Sequence, residues 1–490
     1  MQVSVNRKDL KFLPDSSRVI ARFLYMGDER ALSVIHSVLN MSDEETSTAL
    51  KQVLRDFSVR HRNISKIFEK HFNNITHLFA QLNVDPESLN VSQKLIIGSY
   101  FTMEYSIEAS AIFNPSIVEH PDQSETGVDE KRVIISFRAT GEGHISSIVF
   151  RMGILDRDNN LSITPVGNML EEAEHILRHK YDKKSFSSKL DEMKDFQGII
   201  PSGLILDKLN DKFTYGELYR CIEEDKKRPH LAAYKEMFFN QIMWLASSHY
   251  ELKFSLDTNI SERVIFPVSS NETNGIEDAR FVKFTDDNDE VIYYATYTAN
   301  DGNSILPKLL ETTDFYHFKI CPLHGEIAQN KGMALFPRKI NGKYAMLCRL
   351  DGVNNYIAYS DQITIWREAK LLQQPKFPWE FVQIGNCGSP LETSEGWLVL
   401  THGVGQMREY VIGAALFDLD NPEKEIGRLK SPLLMPNVDE REGYVPNVVY
   451  SCGSMTHNND LIIPYAVSDY ASTYATVNLN ELLSELKNSR

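Results

Sequence analysis

Between Asn271 and Lys283 the chain reads Asn-Glu-Thr-Asn-Gly-Ile-Glu-Asp-Ala-Arg-Phe-Val-Lys. Gly275 supplies a turn, Glu277, Asp278 and Arg280 follow at once, and Phe281, Val282 and Phe284 begin an apolar alternation. Two carboxylates beside a guanidinium at the mouth of a strand can work on a polyol. A carboxyl gives or holds a proton, and the arginine keeps a carboxylate charged or orients a hydroxyl. The plainer reading of the same spacing is a surface ion pair where a strand starts.

Other polar residues crowd strand ends without a packing reason. Arg349 and Asp351 flank Leu350, so at period two they share a face. His402 ends an apolar run, and the irregular stretch Cys387 to Thr393 presents Glu392. Glu440 and Glu442 precede Gly443-Tyr444-Val445-Pro446-Asn447, and Asp469-Tyr470 follows the strand that carries Tyr465. Each has a simpler role: turn chemistry for Asp351 and Asp469, a satisfied strand-end histidine, and solvated loops for the glutamates. Together they suit a neutral polyhydroxylated ligand. Trp366, Trp379, Trp397, Tyr297, Tyr444 and Tyr465 can stack on sugar rings or simply fill a core. No Walker loop, GxSxG or GxGxxG competes, and His61, His71 and His77 lack the HExxH spacing.

These residues need a scaffold. The first hundred residues read as helical: Ala31, Leu32, Ile35, Val38 and Leu39 fall on one face, and Ser42 with Glu45 forms a capping box. From about residue 164 to 250 helical spacing returns (Met169 to His179, Tyr215 to Ile222, Ala232 to Leu245), with the charged run 225–228 as a solvated face. Elsewhere short strands recur, separated by Asn341-Gly342, Asp351-Gly352, Glu395-Gly396 and Asn421-Pro422. About 235 residues after Phe254 and about 50 around Phe113 make roughly five propeller blades of ~45–60 residues each. A sandwich fits the same strands nearly as well.

Composition narrows the function. The chain has 490 residues, 42% hydrophobic and 24% charged, which is globular. A net charge of −15 argues against a nucleic-acid surface. Five scattered cysteines without CxxC spacing suit a reducing compartment. A polar start and no long apolar window give neither signal peptide nor membrane span, which places the chain in the cytoplasm.

A string of motifs then resembles glycoside hydrolase family 130. In order they are Phe113-Asn114-Pro115-Ser116, Ser136-Phe137-Arg138, Asn274 to Arg280, Tyr294 to Ala299, Leu335 to Tyr344, Glu395-Gly396-Trp397 with His402-Gly403-Val404, and Val445 to Val449. The resemblance covers about residues 110 to 475. Arg60-His61-Arg62 and Phe101 to Tyr105 look like the N-terminal extension of longer members. It implies a mainly β fold, a five-bladed β-propeller over residues 108–490 with a helical insertion at about 164–250. Residues 1–107 become an N-terminal helical extension, which can serve either to form a homo-oligomer or to close the pocket.

The resemblance also implies an enzyme acting on mannoside oligosaccharides without metal or cofactor. Asp278 matches the family's general acid, which is thought to protonate the glycosidic oxygen through the mannose 3-hydroxyl. Glu277 and Arg280 would balance it, and Asn114, Arg138, Arg349 and Asp351 would line the sugar pocket, with His402, Tyr465 and Asp469 as further substrate contacts. Ala279 stands where the family usually has proline. Phosphorylases of the family tend to carry Gly-Pro-Pro-Pro and a phosphate-holding lysine before the position of Trp397, whereas this chain reads Cys387-Gly388-Ser389-Pro390-Leu391-Glu392. A carboxylate there repels phosphate but can activate water, as in an inverting glycosidase whose carboxyls stand ~6.5–9.5 Å apart. The expectation is therefore an inverting, exo-acting β-1,2-mannosidase with Glu392 as base and Glu442 as second choice. The alternatives are a β-mannoside phosphorylase, with Arg338, Lys339 and Arg408 as phosphate candidates, and a non-catalytic sugar-binding propeller.

Overall fold

Many of the strands lack a wet face. Gly396–Val404 is buried along its whole length, and Tyr410–Phe417 and Ala471–Asn478 nearly so. Strands buried on both sides must lie between other layers. The computed structural model, which describes residues 3–176, 180–192, 203–226 and 232–489, shows how.

The chain is mainly β and runs through successive antiparallel meanders. Ala111–Glu119, Lys131–Thr140, Ser146–Leu155 and Leu161–Ile163 form the first. Gly275–Thr285, Val291–Asn300, Ile305–Thr312 and His317–Pro322 form the second. Ala334–Leu335, Tyr344–Cys348, Asn355–Ser360 and Ala369–Gln373 form the third. Gln383–Asn386, Gly396–Val404, Tyr410–Phe417 and Glu425–Arg428 form the fourth, and Leu391–Thr393 adds to its second strand. Val449–Tyr450, Asp460–Val467 and Ala471–Asn478 form the last, with Val5–Arg7 as its outer strand. Asn341 (φ 50°) and Gly342 (φ 77°) are both left-handed, as a two-residue type I′ hairpin turn needs.

Apolar side chains join each meander to the next. Phe150 and Phe281 pack first on second, and Phe284 and Met346 second on third. Leu347 and Trp397 pack third on fourth, and Leu400 and Ile463 fourth on last. Ile462 and Tyr474 of the last meander then pack against Ile117, Val133 and Phe137 of the first. Burial of this kind stabilises by about 25 cal/mol per Å² of apolar surface, so every sheet face is held by its neighbours.

The helices Asp28–Leu39, Asp43–Phe57, Ile64–Asn73 and Val91–Tyr100 pack around Ile35, Phe72, Phe79 and Ile97. The capping box at Ser42 and Glu45 is present. Glu108, fully buried, receives Arg18 Nε at 2.7 Å and Arg151 at 2.8 Å, which ties this layer to the first meander. Breaking such a buried pair costs about 3–5 kcal/mol.

Three local expectations change. The N-terminal hundred residues are not wholly helical: Val5–Arg7 completes the last sheet, and Val19–Phe23 pairs with Thr102–Ser106. The helix expected from Met169 to His179 is replaced by Glu171–Glu172 and Glu174–Ile176, which pair with Arg263–Ile265 and Tyr250–Lys253; residues 177–179 lie outside the described residues. Sheet edges supplied by distant chain override weak local spacing there. Between 180 and 250 the helices Tyr215–Lys226 and Ala232–Ser247 do form. In the run 225–228, Asp225 is buried and paired with Lys208 at 2.6 Å, while Lys227 and Arg228 lie outside the described residues.

Candidate active site

Two bulges at matching places in the first two meanders build the site. The register slips between Phe113 and Ser116 and again between Glu277 and Arg280. A bulge re-aims a side chain that regular pleating would hide. The residues re-aimed are Asn114 (φ 49°) and Asp278 (φ 56°), and Asn and Asp tolerate this left-handed backbone best among residues with a side chain. Asn114 Nδ2 donates to Asp278 Oδ1 at 2.6 Å. Pro115 and Ala279 occupy equivalent places in the two bulges.

Asp278 opens into a cavity of about 360 Å³ lined by Asn114, Arg138, Glu277, Lys331, Arg349, Gln383, His402, Arg408, Tyr410, Tyr450 and Asp469, among others. Arg138 stands 3.5 Å from Asp278 and 3.3 Å from Glu277. Glu277 also accepts from Asn300 Nδ2 at 3.1 Å and Lys331 Nζ at 2.5 Å. Arg280 lies beneath, donating to the Asp278 carbonyl at 3.1 Å and the Tyr450 hydroxyl at 2.7 Å. Burial alone would raise the Asp278 pKa, but Arg138, Arg280, the Asn114 hydrogen bond and Lys331 together hold it below the usual carboxylate range.

Asp469 shares the cavity and moves the other way. Burial and the charge of Asp278 push it up to about 6, against Arg138 and Arg408. His402 Nδ1 is 3.0 Å from the Asn386 carbonyl oxygen, so that nitrogen carries the proton and Nε2 faces Arg349 and Gln383, each at 3.4 Å. Burial, then Arg349 and Arg280, push its pKa down to about 3 and keep the ring neutral. Among the described residues, no carboxylate pairs with Arg349 or Arg408 (N···O within 4.0 Å), and the buried atoms Asn114 Oδ1, Arg138 Nε and Arg349 Nε lack a protein partner. The cavity thus holds Asp278 kept ionised by its neighbours, Glu277 paired with Arg138 and Lys331, a carboxyl pushed up to about 6, and two arginines, Arg349 and Arg408, beyond those the carboxylates pair with.

Asn114, Arg138, Glu277, Asp278, Arg349, His402 and Asp469, each expected from sequence, converge here, with Arg280 directly below. Four others do not. Glu392 is gripped by Arg338 at 2.7 and 2.8 Å in a separate cleft of about 390 Å³ with Glu119 and Lys283. Glu442 is exposed and lines neither cavity. Tyr465 is buried and donates to Glu440 at 2.6 Å. Asp351 caps its own turn, accepting from the Val353 and Asn354 amides at 2.9 and 2.8 Å. Trp366 and Trp397 are core side chains. Lys331, Gln383, Tyr410 and Tyr450 went unseen in sequence. Lys331 sits in a turn of ordinary Asn-Lys-Gly composition, with no spacing that marks it. Of the three phosphate candidates, Arg408 lines the cavity, Arg338 holds Glu392, and Lys339 holds Asp287 at 2.5 Å.

The family profile described as β-1,4-mannooligosaccharide phosphorylase matches residues 234–488, which carry Asp278, Lys331, Arg349, His402 and Asp469. The chain belongs to glycoside hydrolase family 130. A 1,2-β-oligomannan phosphorylase of Thermoanaerobacter sp. (strain X514) is 34% identical over 230 residues, which is 44% of this chain and 74% of the relative. A β-1,2-mannobiose phosphorylase of Listeria innocua is 32% identical over 243 residues, 48% of this chain and 65% of the relative. The structure of the Listeria innocua enzyme with β-1,2-mannobiose aligns with a TM-score of 0.46 at 21% identity, over 79% of this chain and 94% of that one.

Family 130 membership is thus as expected, and the hydrolytic reading is not. The relatives that match in sequence are named as phosphorylases. The expectation of hydrolysis rested on Glu392 as base, and that carboxylate lies in the other cleft, neutralised by Arg338. The physical reason is that the strand Leu391–Thr393 pairs with Gly396–Val404 and carries Glu392 into that cleft. Among the described residues, no group of three or more His, Cys, Asp or Glu is placed to hold a metal ion. Nor is any described helix long and apolar enough to cross a membrane.

Proposed function

We propose that this family 130 chain is a β-mannoside phosphorylase, working on β-1,2-linked mannosides from a five-bladed β-propeller. The observation that carries the reading is the pair of arginines, Arg349 and Arg408, that face the Asp278 cavity without a carboxylate partner. A neutral sugar does not need such a surplus of cations, and a phosphate dianion does. The relatives named for β-1,2-linked substrates share 32–36% identity with the chain, against 31% for the one named for β-1,4-mannooligosaccharides. The propeller reading is supported by the meanders and by the apolar contacts that return from the last to the first. The terminal strand Val5–Arg7 is then the closure of the last blade.

In this reading phosphate rests against Arg349, Arg408, Gln383 and the Nε2 lone pair of His402, which takes the hydrogen bond of the phosphate's remaining hydroxyl. A phosphate oxygen attacks C1 of the terminal mannose as the bond from C1 to the glycosidic oxygen breaks. That oxygen receives its proton from Asp278, through the mannose 3-hydroxyl in the manner the family resemblance implies. The products are mannose 1-phosphate, inverted at C1 by the single displacement, and a mannoside one unit shorter. Asp278 is ionised in the empty cavity because cations surround it; a bound dianion offsets those cations and raises its pKa toward the protonated form an acid requires.

The deciding experiment incubates the purified protein with β-1,2-mannobiose, with and without phosphate. Mannose 1-phosphate formed only with phosphate supports the reading. Release of mannose alone, at a rate indifferent to phosphate, overturns it.

A further inference from the structure

Two large, exposed side chains stand next in sequence to residues that line the cavity. Tyr444 is 72% exposed and Met407 89% exposed. Each adjoins a cavity-lining residue, Val445 and Arg408 respectively. An exposed ring held beside a polar pocket is available to the apolar face of a sugar.

Neither is loosely placed. The Tyr444 ring lies over the His144 ring, centroids 5.6 Å apart at 31°. Those residues come from the first and last meanders, which are neighbours: His144 from the turn between Lys131–Thr140 and Ser146–Leu155, Tyr444 from the loop ahead of Val449–Tyr450. Next to Tyr444, Gly443 is pressed so closely on Ser468 that a Cβ would come within 2.5 Å of its carbonyl oxygen, and Val445 N donates to that oxygen at 3.0 Å. Met407 and Arg408 are both left-handed, at φ 55° and 56°. A left-handed methionine costs on the order of 1–3 kcal/mol, and such strain collects where a side chain must be presented.

The His144 turn is in turn held by the N-terminal layer. Tyr105 donates to the Glu142 carbonyl at 2.7 Å, and a Cβ on Gly141 would lie 2.3 Å from the Ser106 carbonyl oxygen. The N-terminal layer therefore reaches the His144 turn through Thr102–Ser106.

We infer that the Tyr444–His144 ring pair, with Met407, forms the platform on which the leaving-group side of a β-mannoside chain stacks, and that Tyr105 is its positioning residue. This rests on the phosphorylase reading. Inside the cavity the lining is dominated by charged and amide groups, which grip hydroxyls and phosphate; the rim supplies the flat apolar faces that a pyranose ring covers. A sugar beyond the scissile bond meets the rim, whereas the terminal mannose and phosphate do not.

The test separates the two halves of the substrate by running the reaction backwards, with mannose 1-phosphate as donor and mannose or β-1,2-mannobiose as acceptor. Tyr444→Ala and His144→Ala are each expected to raise the acceptor KM by about 5- to 10-fold, the size of one lost ring contact. The KM for mannose 1-phosphate should stay within about 2-fold, because uniform binding of the other half is untouched. Tyr105→Phe should raise the acceptor KM in the same direction with kcat preserved, a split that a general loss of fold would not give. Unchanged acceptor KM in both ring variants of an active enzyme overturns the platform. An equal rise in both KM values also overturns it, since the rings would then be shaping the inner cavity. If the unaltered enzyme makes no mannoside from mannose 1-phosphate, the phosphorylase reading itself fails, and the platform falls with it for that separate reason.

Discussion

Replacing Asp278 by asparagine removes one proton and one charge and little else. Asparagine accepts the left-handed φ of 56° at this bulge, and its side-chain oxygen can still take the 2.6 Å hydrogen bond from Asn114. Arg138 keeps Glu277 as partner at 3.3 Å, so no cation is stranded. In the proposed mechanism the lost function is proton delivery to the departing sugar, worth about 10²–10⁴-fold for a positioned acid. The structure argues for the middle of that range. Glu277 is committed to Arg138, Asn300 and Lys331, leaving Asp469 as the other cavity carboxyl, so a partial substitute exists. The expected loss with β-1,2-mannobiose and phosphate is roughly 10³-fold in kcat, or about 4 kcal/mol on the barrier. With 4-nitrophenyl β-mannoside, whose leaving group departs without a proton, the same variant should lose no more than about 10-fold. Phosphate-dependent release of mannose 1-phosphate and of nitrophenolate are the two readouts. Equal losses on both substrates would refute the assignment, because the carboxylate would then be acting through charge or binding and not as an acid.

Three further outcomes follow from the charges. Asp469 holds its proton more tightly folded (about 6) than its ordinary value of 3.8, so folding is unaffected below about pH 4 and loses stability as pH rises through about 6. Asp469→Asn should therefore raise the melting temperature at pH 8, by an effect of up to about 3 kcal/mol, and leave it unchanged at pH 4 in phosphate-free buffer; no difference at pH 8 would show that the carboxyl is not pushed up. Arg408→Gln removes a cavity cation that has no carboxylate partner among the described residues; the KM for phosphate should rise by about 10-fold while that for mannobiose changes less. Glu392→Gln breaks an exposed pair with Arg338, so kcat/KM should stay within about 2-fold, and a 100-fold loss would return Glu392 to the reaction.

The sequence made Asp278 legible because its chemistry and its backbone need coincide. Asn and Asp are the polar residues that take a left-handed turn most readily, and Asn114 carries the same signature in the first meander. Hairpins were legible for a similar local reason, as at Asn341-Gly342. Val5–Arg7 was not, since a three-residue edge strand has no pattern of its own until Ala471–Asn478, more than 460 residues away, offers it hydrogen bonds.

Glu392 and Lys331 mark the boundary from opposite sides. Both are charged residues near turns, with nothing in their neighbours to tell them apart. The path of Leu391–Thr393 along Gly396–Val404 hands Glu392 to Arg338, while the turn after Asn330 delivers Lys331 to Glu277. What the sequence determined alone was the mainly β character, the carboxylate pair Glu277 and Asp278 at the mouth of a strand, and the family, because each is written in short runs of neighbouring residues. Which charges share the cavity, and hence whether phosphate is welcome there, depended on how separate sheets pack. Electrostatic balance is a sum over distances in space, and one-dimensional spacing does not contain those distances.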